Sequence, residues 1–135
     1  MERYKEWINR AKSSMELAQA EIIQHIYYED LCYQLQQAAE KALKGLLIYY
    51  GVEPEFTHNI ELLQEEIMKI TEIPDNVKLA VKLTPYAVQT RYPGEYDDIT
   101  KEEYEQSIKI AKDCLAWIEN KVKEEENNKS KKYGT

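Results

Sequence analysis

The sequence predicts an all-α protein, an up-and-down bundle of four long helices with a short extra one, and three observations carry that expectation. Only four glycines and four prolines punctuate 135 residues, so long uninterrupted elements are expected. Apolar residues recur at steps of three and four through most of the chain, the period of a helix with one buried face. Alternation of β-branched and polar residues, the mark of a half-buried strand, never lasts more than a few positions. A chain of this length makes one domain with a core of its own.

Each element has its own signal. Tyr4, Trp7, Ile8, Ala11, Met15, Ala18 and Ile22 predict a first helix from about residue 2 to 26. A turn at Tyr27-Tyr28-Glu29-Asp30 follows, where Glu29 or Asp30 can accept from the free N–H groups of the next helix. That helix, about 30 to 50, stops at Gly51. Leu31, Leu35, Ala38, Ala42, Leu46 and Tyr49 form one face, and Ala39, Leu43, Leu47 and Tyr50 widen it to about half the circumference. So broad an arc marks the core helix. Thr57 is the expected N-cap of a third helix over about 58 to 70, with Ile60, Leu63, Ile67 and Ile70 inward. Pro74 suits the first position of a fourth, kinked or restarted at Pro85, and residues 91–99 lack any period and read as a loop. Thr100-Lys101-Glu102-Glu103 is a capping box opening the last helix, whose apolar repeat runs from Tyr104 to Val122. The bundle is expected over 1–124, with a disordered polar tail over 125–135.

The formal net charge of −7 argues against broad, sequence-independent binding to nucleic acid, while leaving room for one small cationic pocket. Cys32 and Cys114 have no metal-type spacing and read as buried free thiols in a reducing cytosol. No charged-then-apolar leader opens the chain, and the apolar run Leu46–Tyr50 is far shorter than the ~20 residues of a membrane span. A soluble, cytoplasmic protein is the expectation.

Three places could carry chemistry. The core helix bears a polar stripe of Gln37, Glu40, Lys41 and Lys44, in which Glu40 and Lys44 are an i,i+4 pair in the favourable order. The plain alternative is a solvated helix side. Arg91 opens a proline-containing loop beside Tyr92; its forked guanidinium suits phosphate or carboxylate, and the tyrosine suits stacking on a base. Pairing with nearby acids is the plain alternative there. His58, next to Thr57, can join a polar network or act as acid or base. His25 reads as a surface residue, and neither histidine has a partner at metal-ligand spacing, so neither a metal nor a cofactor is expected. Eleven tyrosines, most near helix ends, fit core edges and a dimer surface.

Taken in order, Trp7 and Ala11, then Gln36-Gln37-Ala38-Ala39-Glu40-Lys41-Ala42-Leu43-Lys44, Thr57-His58-Asn59-Ile60 and Thr90-Arg91-Tyr92-Pro93 resemble the HEPN domain over about residues 1 to 122. The resemblance implies a five-helix bundle, usually a homodimer, that works on RNA or nucleotides. It also implies a small nucleotidyltransferase as partner, in a toxin–antitoxin or defence pair. On this reading Arg91 and Lys44 hold the anion, Glu40 and Gln37 orient them, and Lys41 and Tyr92 complete the site. Ribonucleases of the family place a histidine after the arginine with four to six residues between them. Here Tyr96 stands at the shortest of those spacings and no histidine follows. Tyrosine, with a pKa of ~10, is a poor base near neutrality. Two alternatives therefore stay open: a metal-independent ribonuclease toxin with a rearranged site of Arg91 and His58, or a purely structural dimeric module.

Overall fold

The computed structural model describes residues 2–19, 26–87 and 98–132, with Lys132 through its backbone only. Among the described residues there is no strand. The elements are α1 (Arg3–Ala18), α2 (Tyr28–Tyr49), α3 (Ile60–Met68), α4 (Asp75–Lys78), a 3-10 helix (Leu79–Ala87) and α5 (Lys101–Lys132). The bundle is all-α, as the periodicity predicts.

At the centre, α2 packs against α1, α3, the 3-10 helix and α5. Its broad apolar arc is the reason: Leu35, Ala38, Ala39, Ala42, Leu43, Leu46 and Leu47 are all fully buried. α1 runs antiparallel to it, with the Tyr4 and Tyr49 rings 4.9 Å apart at one end and Lys41 bonded to Ser14 nearer the other. The two helices approach closely at Gly45. A Cβ there would stand 3.2 Å from Ile8 Cγ1 and Trp7 Cβ, and 3.3 Å from the Tyr4 carbonyl oxygen. α5 then lies antiparallel to α1 and parallel to α2. Tyr104 stacks on Tyr28 at 5.1 Å, Lys12 pairs with Glu119 at 3.1 Å, and the Tyr49 hydroxyl donates to Glu126 at 2.7 Å.

Several boundaries differ from expectation, each for a local reason. α1 runs from Arg3 to Ala18, whose carbonyl accepts from the Tyr104 hydroxyl, and residues 20–25 of the expected first helix lie outside the described residues. Glu29 does not cap α2; its carboxylate accepts from the Ile99 N–H and so ties the start of α2 to the approach to α5. Asn59, not Thr57, caps α3, accepting from the Glu61 N–H at 2.9 Å. Ile70, expected inward, is exposed. Pro74 is the N-cap of α4 rather than its first residue. The stretch containing Pro85 is a 3-10 helix rather than a kinked α-helix, and Pro85, with no N–H, donates to neither an i−4 nor an i−3 carbonyl. The Thr100 hydroxyl does accept from the Glu103 N–H, half of the expected box, while the Glu103 carboxylate bonds Tyr86 instead of turning back.

Past residue 124, where a disordered tail is expected, α5 continues as helix to Lys132. Beyond the Tyr49–Glu126 bond, Lys129 Nζ sits 4.8 Å from the Tyr49 ring centroid, so the polar turns are fastened to the end of α2. Cys32 and Cys114 are buried and outside any disulfide, and burial, with Asp113 adding, pushes the Cys114 thiol up to about 12. No helix among the described residues is long and apolar enough to cross a membrane.

Candidate functional site

The polar stripe of α2 is not solvated. Glu40 and Lys44 are buried, with side chains 5% and 10% exposed, and their ion pair is 2.9 Å long. An isolated buried carboxylate would be untenable, and this one is saturated with donors. Its Oε1 receives Gln36 Nε2 at 3.0 Å and His58 Nδ1 at 2.8 Å, and its Oε2 receives Lys44 Nζ. Gln37 Nε2 lies at the edge of the group, 3.5 Å from Oε1. Burial pushes the carboxyl up, but the hydrogen bonds from Gln36, His58 and Lys44 outweigh it and hold Glu40 below its ordinary range. Glu40 is therefore a carboxylate, an acceptor only. His58 Nδ1 must then carry a proton, and Nε2 has no hydrogen-bond partner among the described residues.

The chain holds His58 from three sides. Thr57 Oγ1 accepts from the Asn59 N–H at 3.0 Å, Asn59 caps α3, and the Ile60 N–H donates to Thr84 Oγ1 at 3.2 Å. Gln36, fully buried, donates from one amide both to Glu40 and to the His58 carbonyl at 3.1 Å. Gln37 in turn fixes the Gln36 amide, donating to its Oε1 at 2.8 Å. The result is a ring 69% exposed to solvent whose rear nitrogen is locked to a buried carboxylate.

Lys44 is spoken for. Its ammonium pairs with Glu40 and lies 5.8 Å from the Trp7 ring centroid. Lys41, half-buried, donates to Ser14 Oγ at 3.0 Å across the α1–α2 seam. Burial lowers its pKa, Glu40 raises it and Arg10 lowers it again, with a net fall. Arg91, Tyr92, Pro93 and Tyr96, and also His25, lie outside the described residues. The structure thus brings together Gln37, Glu40, Lys44 and His58 and turns Lys41, next to Glu40 in the helix, toward Ser14 of α1. No group of His, Cys, Asp or Glu that could hold a metal occurs among the described residues.

Gln36 is the residue that sequence reasoning passed over. Its signal was present: it precedes Glu40 by four positions, so both fall on one helix side, between apolar positions 35 and 39. Gln36→Leu is expected to cost about 1–2 kcal/mol and to free the ring. Nitrogen NMR should then show the Nδ1–H form of neutral His58 losing its dominance over the Nε2–H form; an unchanged tautomer ratio would remove Gln36 from this role.

The central amphipathic helix carries this buried Gln–Glu–Lys group and grips a histidine from the following loop, and these residues lie in the segments that resemble the HEPN domain. The family model of the HEPN domain matches residues 4–121, and the chain belongs to that family. A Methanocaldococcus jannaschii protein named "Putative toxin MJ1304" is 28% identical over 134 residues, covering 87% of each chain. Two crystal structures are similar over 90% of this chain and 99% of theirs. They are TT1696 from Thermus thermophilus (TM-score 0.76, 30% identity) and ST0689, described as an archaeal HEPN homologue (TM-score 0.67, 29% identity).

Proposed function

We propose that this chain is a toxin-type HEPN protein that binds a nucleotide or an RNA phosphate at the Glu40–His58 pair. In this reading it acts in the cytoplasm as a homodimer, with a small nucleotidyltransferase as its counterpart in a toxin–antitoxin or defence pair. Membership of the family and the name carried by the Methanocaldococcus jannaschii relative support the toxin-type role. The observation that carries the site is the exposed His58 ring with its rear nitrogen bonded to buried Glu40. Such a ring presents Nε2 outward in a fixed direction, and with a proton there as well as at Nδ1 it donates to an arriving anion at little cost in lost freedom. The anion contacts fall to His58, to Lys41 and to Arg91 with Tyr92 beside it. Lys44 and Gln37 stand behind them, Lys44 balancing the Glu40 charge and Gln37 holding the Gln36 amide.

Titration with ATP, GTP and a short RNA tests this. His58→Ala and Arg91→Ala are each expected to weaken binding about tenfold or more, the worth of one charge-assisted contact. Affinities equal to the parent's in both variants would sink the assignment.

The same ring favours a second reading. A free Nε2 backed by a carboxylate is the arrangement of a general base, so a ribonuclease using His58 and Arg91 without a metal has a physical footing. RNA cleavage by the purified protein, abolished by His58→Ala, would establish it. Cleavage that survives that change would exclude it. Neither binding nor cleavage, with dimer stability falling in Glu40→Ala, would leave the structural module.

A further inference from the structure

Two positions before His58 stands Phe56, the sole phenylalanine of the chain, and its side chain is fully exposed. A single exposed apolar residue is ordinary on a protein surface. Its surroundings are what set this one apart. Glu55 and Thr57 line a narrow slot against α3 with Leu62, Leu63, Glu65 and Glu66, a lining from which Phe56 and His58 are absent. His58 is instead held to Glu40 of α2. The loop therefore commits alternate residues to the acidic slot and leaves Phe56 and His58 to solvent. Glu53, the remaining acid of the loop, is matched by a bidentate ion pair with Arg3 at 2.6 and 2.7 Å. Phe56 and His58 are separated by at most about 7 Å of backbone, the reach of two residues. An apolar ring face and a fixed imidazole nitrogen at that separation match adjoining parts of one nucleotide, its base and its phosphate.

We infer that Phe56 is the stacking platform for a nucleobase whose phosphate meets His58, which makes the ligand an unpaired nucleotide or single-stranded RNA rather than a duplex. The inference rests on the phosphate-binding reading above and adds to it the class of ligand. Stacking needs a base whose face is free, and a paired base inside a helix has none to offer. Every base has such a face, so Phe56 confers affinity for single strands without choosing a sequence.

Adenosine 5′-monophosphate and ribose 5-phosphate separate the two contacts, because both carry the phosphate and one carries the base. The parent protein is expected to bind the monophosphate about tenfold more tightly, the usual worth of one stacked base. Phe56→Ala should bring the two ligands to the same affinity, and Phe56→Trp should restore or enlarge the gap. A single-stranded RNA should likewise outbind its own duplex, and Phe56→Ala should erase that preference. Parental affinity for the monophosphate in Phe56→Ala, alongside its loss in His58→Ala, would overturn the platform and leave the phosphate reading standing. Failure of the parent to bind either ligand would overturn both. Loss of self-association in Phe56→Ala with no change in nucleotide affinity would overturn the inference in favour of a protein contact.

Discussion

Glu40→Leu is expected to destabilise the fold by about 3 kcal/mol, Lys44→Met by a similar amount, and the two together by far less than their sum. Either single change leaves one buried charge facing its former partner's empty place, and neither side chain can reach water while the bundle holds, since both are nearly fully covered. The double change removes both charges and fills the space with apolar groups of similar size, which buried pairs commonly tolerate. Chemical denaturation of the four proteins measures the coupling. Additive costs would mean that Glu40 and Lys44 do not act as a pair. Acid supplies an independent view of the same group. The folded Glu40 carboxyl lies below its ordinary value of 4.5, so its contribution is complete above that value and is lost as pH falls through the folded one. The parent should therefore lose more stability than the double variant between about pH 5 and pH 2. Parallel acid profiles would contradict this.

Gly45→Leu is expected to cost about 2 kcal/mol net. Leucine favours the helix over glycine by close to 1 kcal/mol, but the new side chain has to enter a seam already closed by Ile8, Trp7 and the Tyr4 carbonyl. Part of what blocks it is backbone, which cannot rotate away. The α1 helix must shift outward, and with it Trp7, whose ring lies near Lys44. A lower denaturation midpoint with an unchanged slope is the anticipated result. A midpoint at or above the parent's would show that the seam is looser than its contacts indicate.

How far the sequence revealed this molecule depends on the range of the interaction involved. Periodicity found α2 and its buried arc because burial of a helix face is written at three- and four-residue steps. It did not foresee that a hydroxyl from Tyr104, distant in sequence, takes the Ala18 carbonyl. It failed beyond residue 124, where polarity suggested a tail but Tyr49 and Lys129 fasten the turns. The site divides the same way. Glu40 and Lys44 were visible as an i,i+4 pair, yet whether that side met water or protein was not local information. Burial turned an ordinary helix pair into a charge group on which a loop histidine depends. His58 was named from its place in a motif, and its partner came from a segment 18 positions earlier. Gln36 was missed because its four-residue step to Glu40 is local, whereas its bond to the His58 carbonyl crosses 22 positions.

The two buried thiols have a practical side. Thiolate is the form that alkylating reagents attack, and a fully covered Cys114 whose thiol is pushed up to about 12 offers almost none at neutral pH. Cys32 is likewise fully covered. The native chain is thus close to a blank background for maleimide chemistry without any cysteine being removed. A single cysteine introduced at exposed Glu61 would be the accessible one, and a fluorophore attached there would report from three residues away on whatever approaches His58 while leaving Phe56 in place.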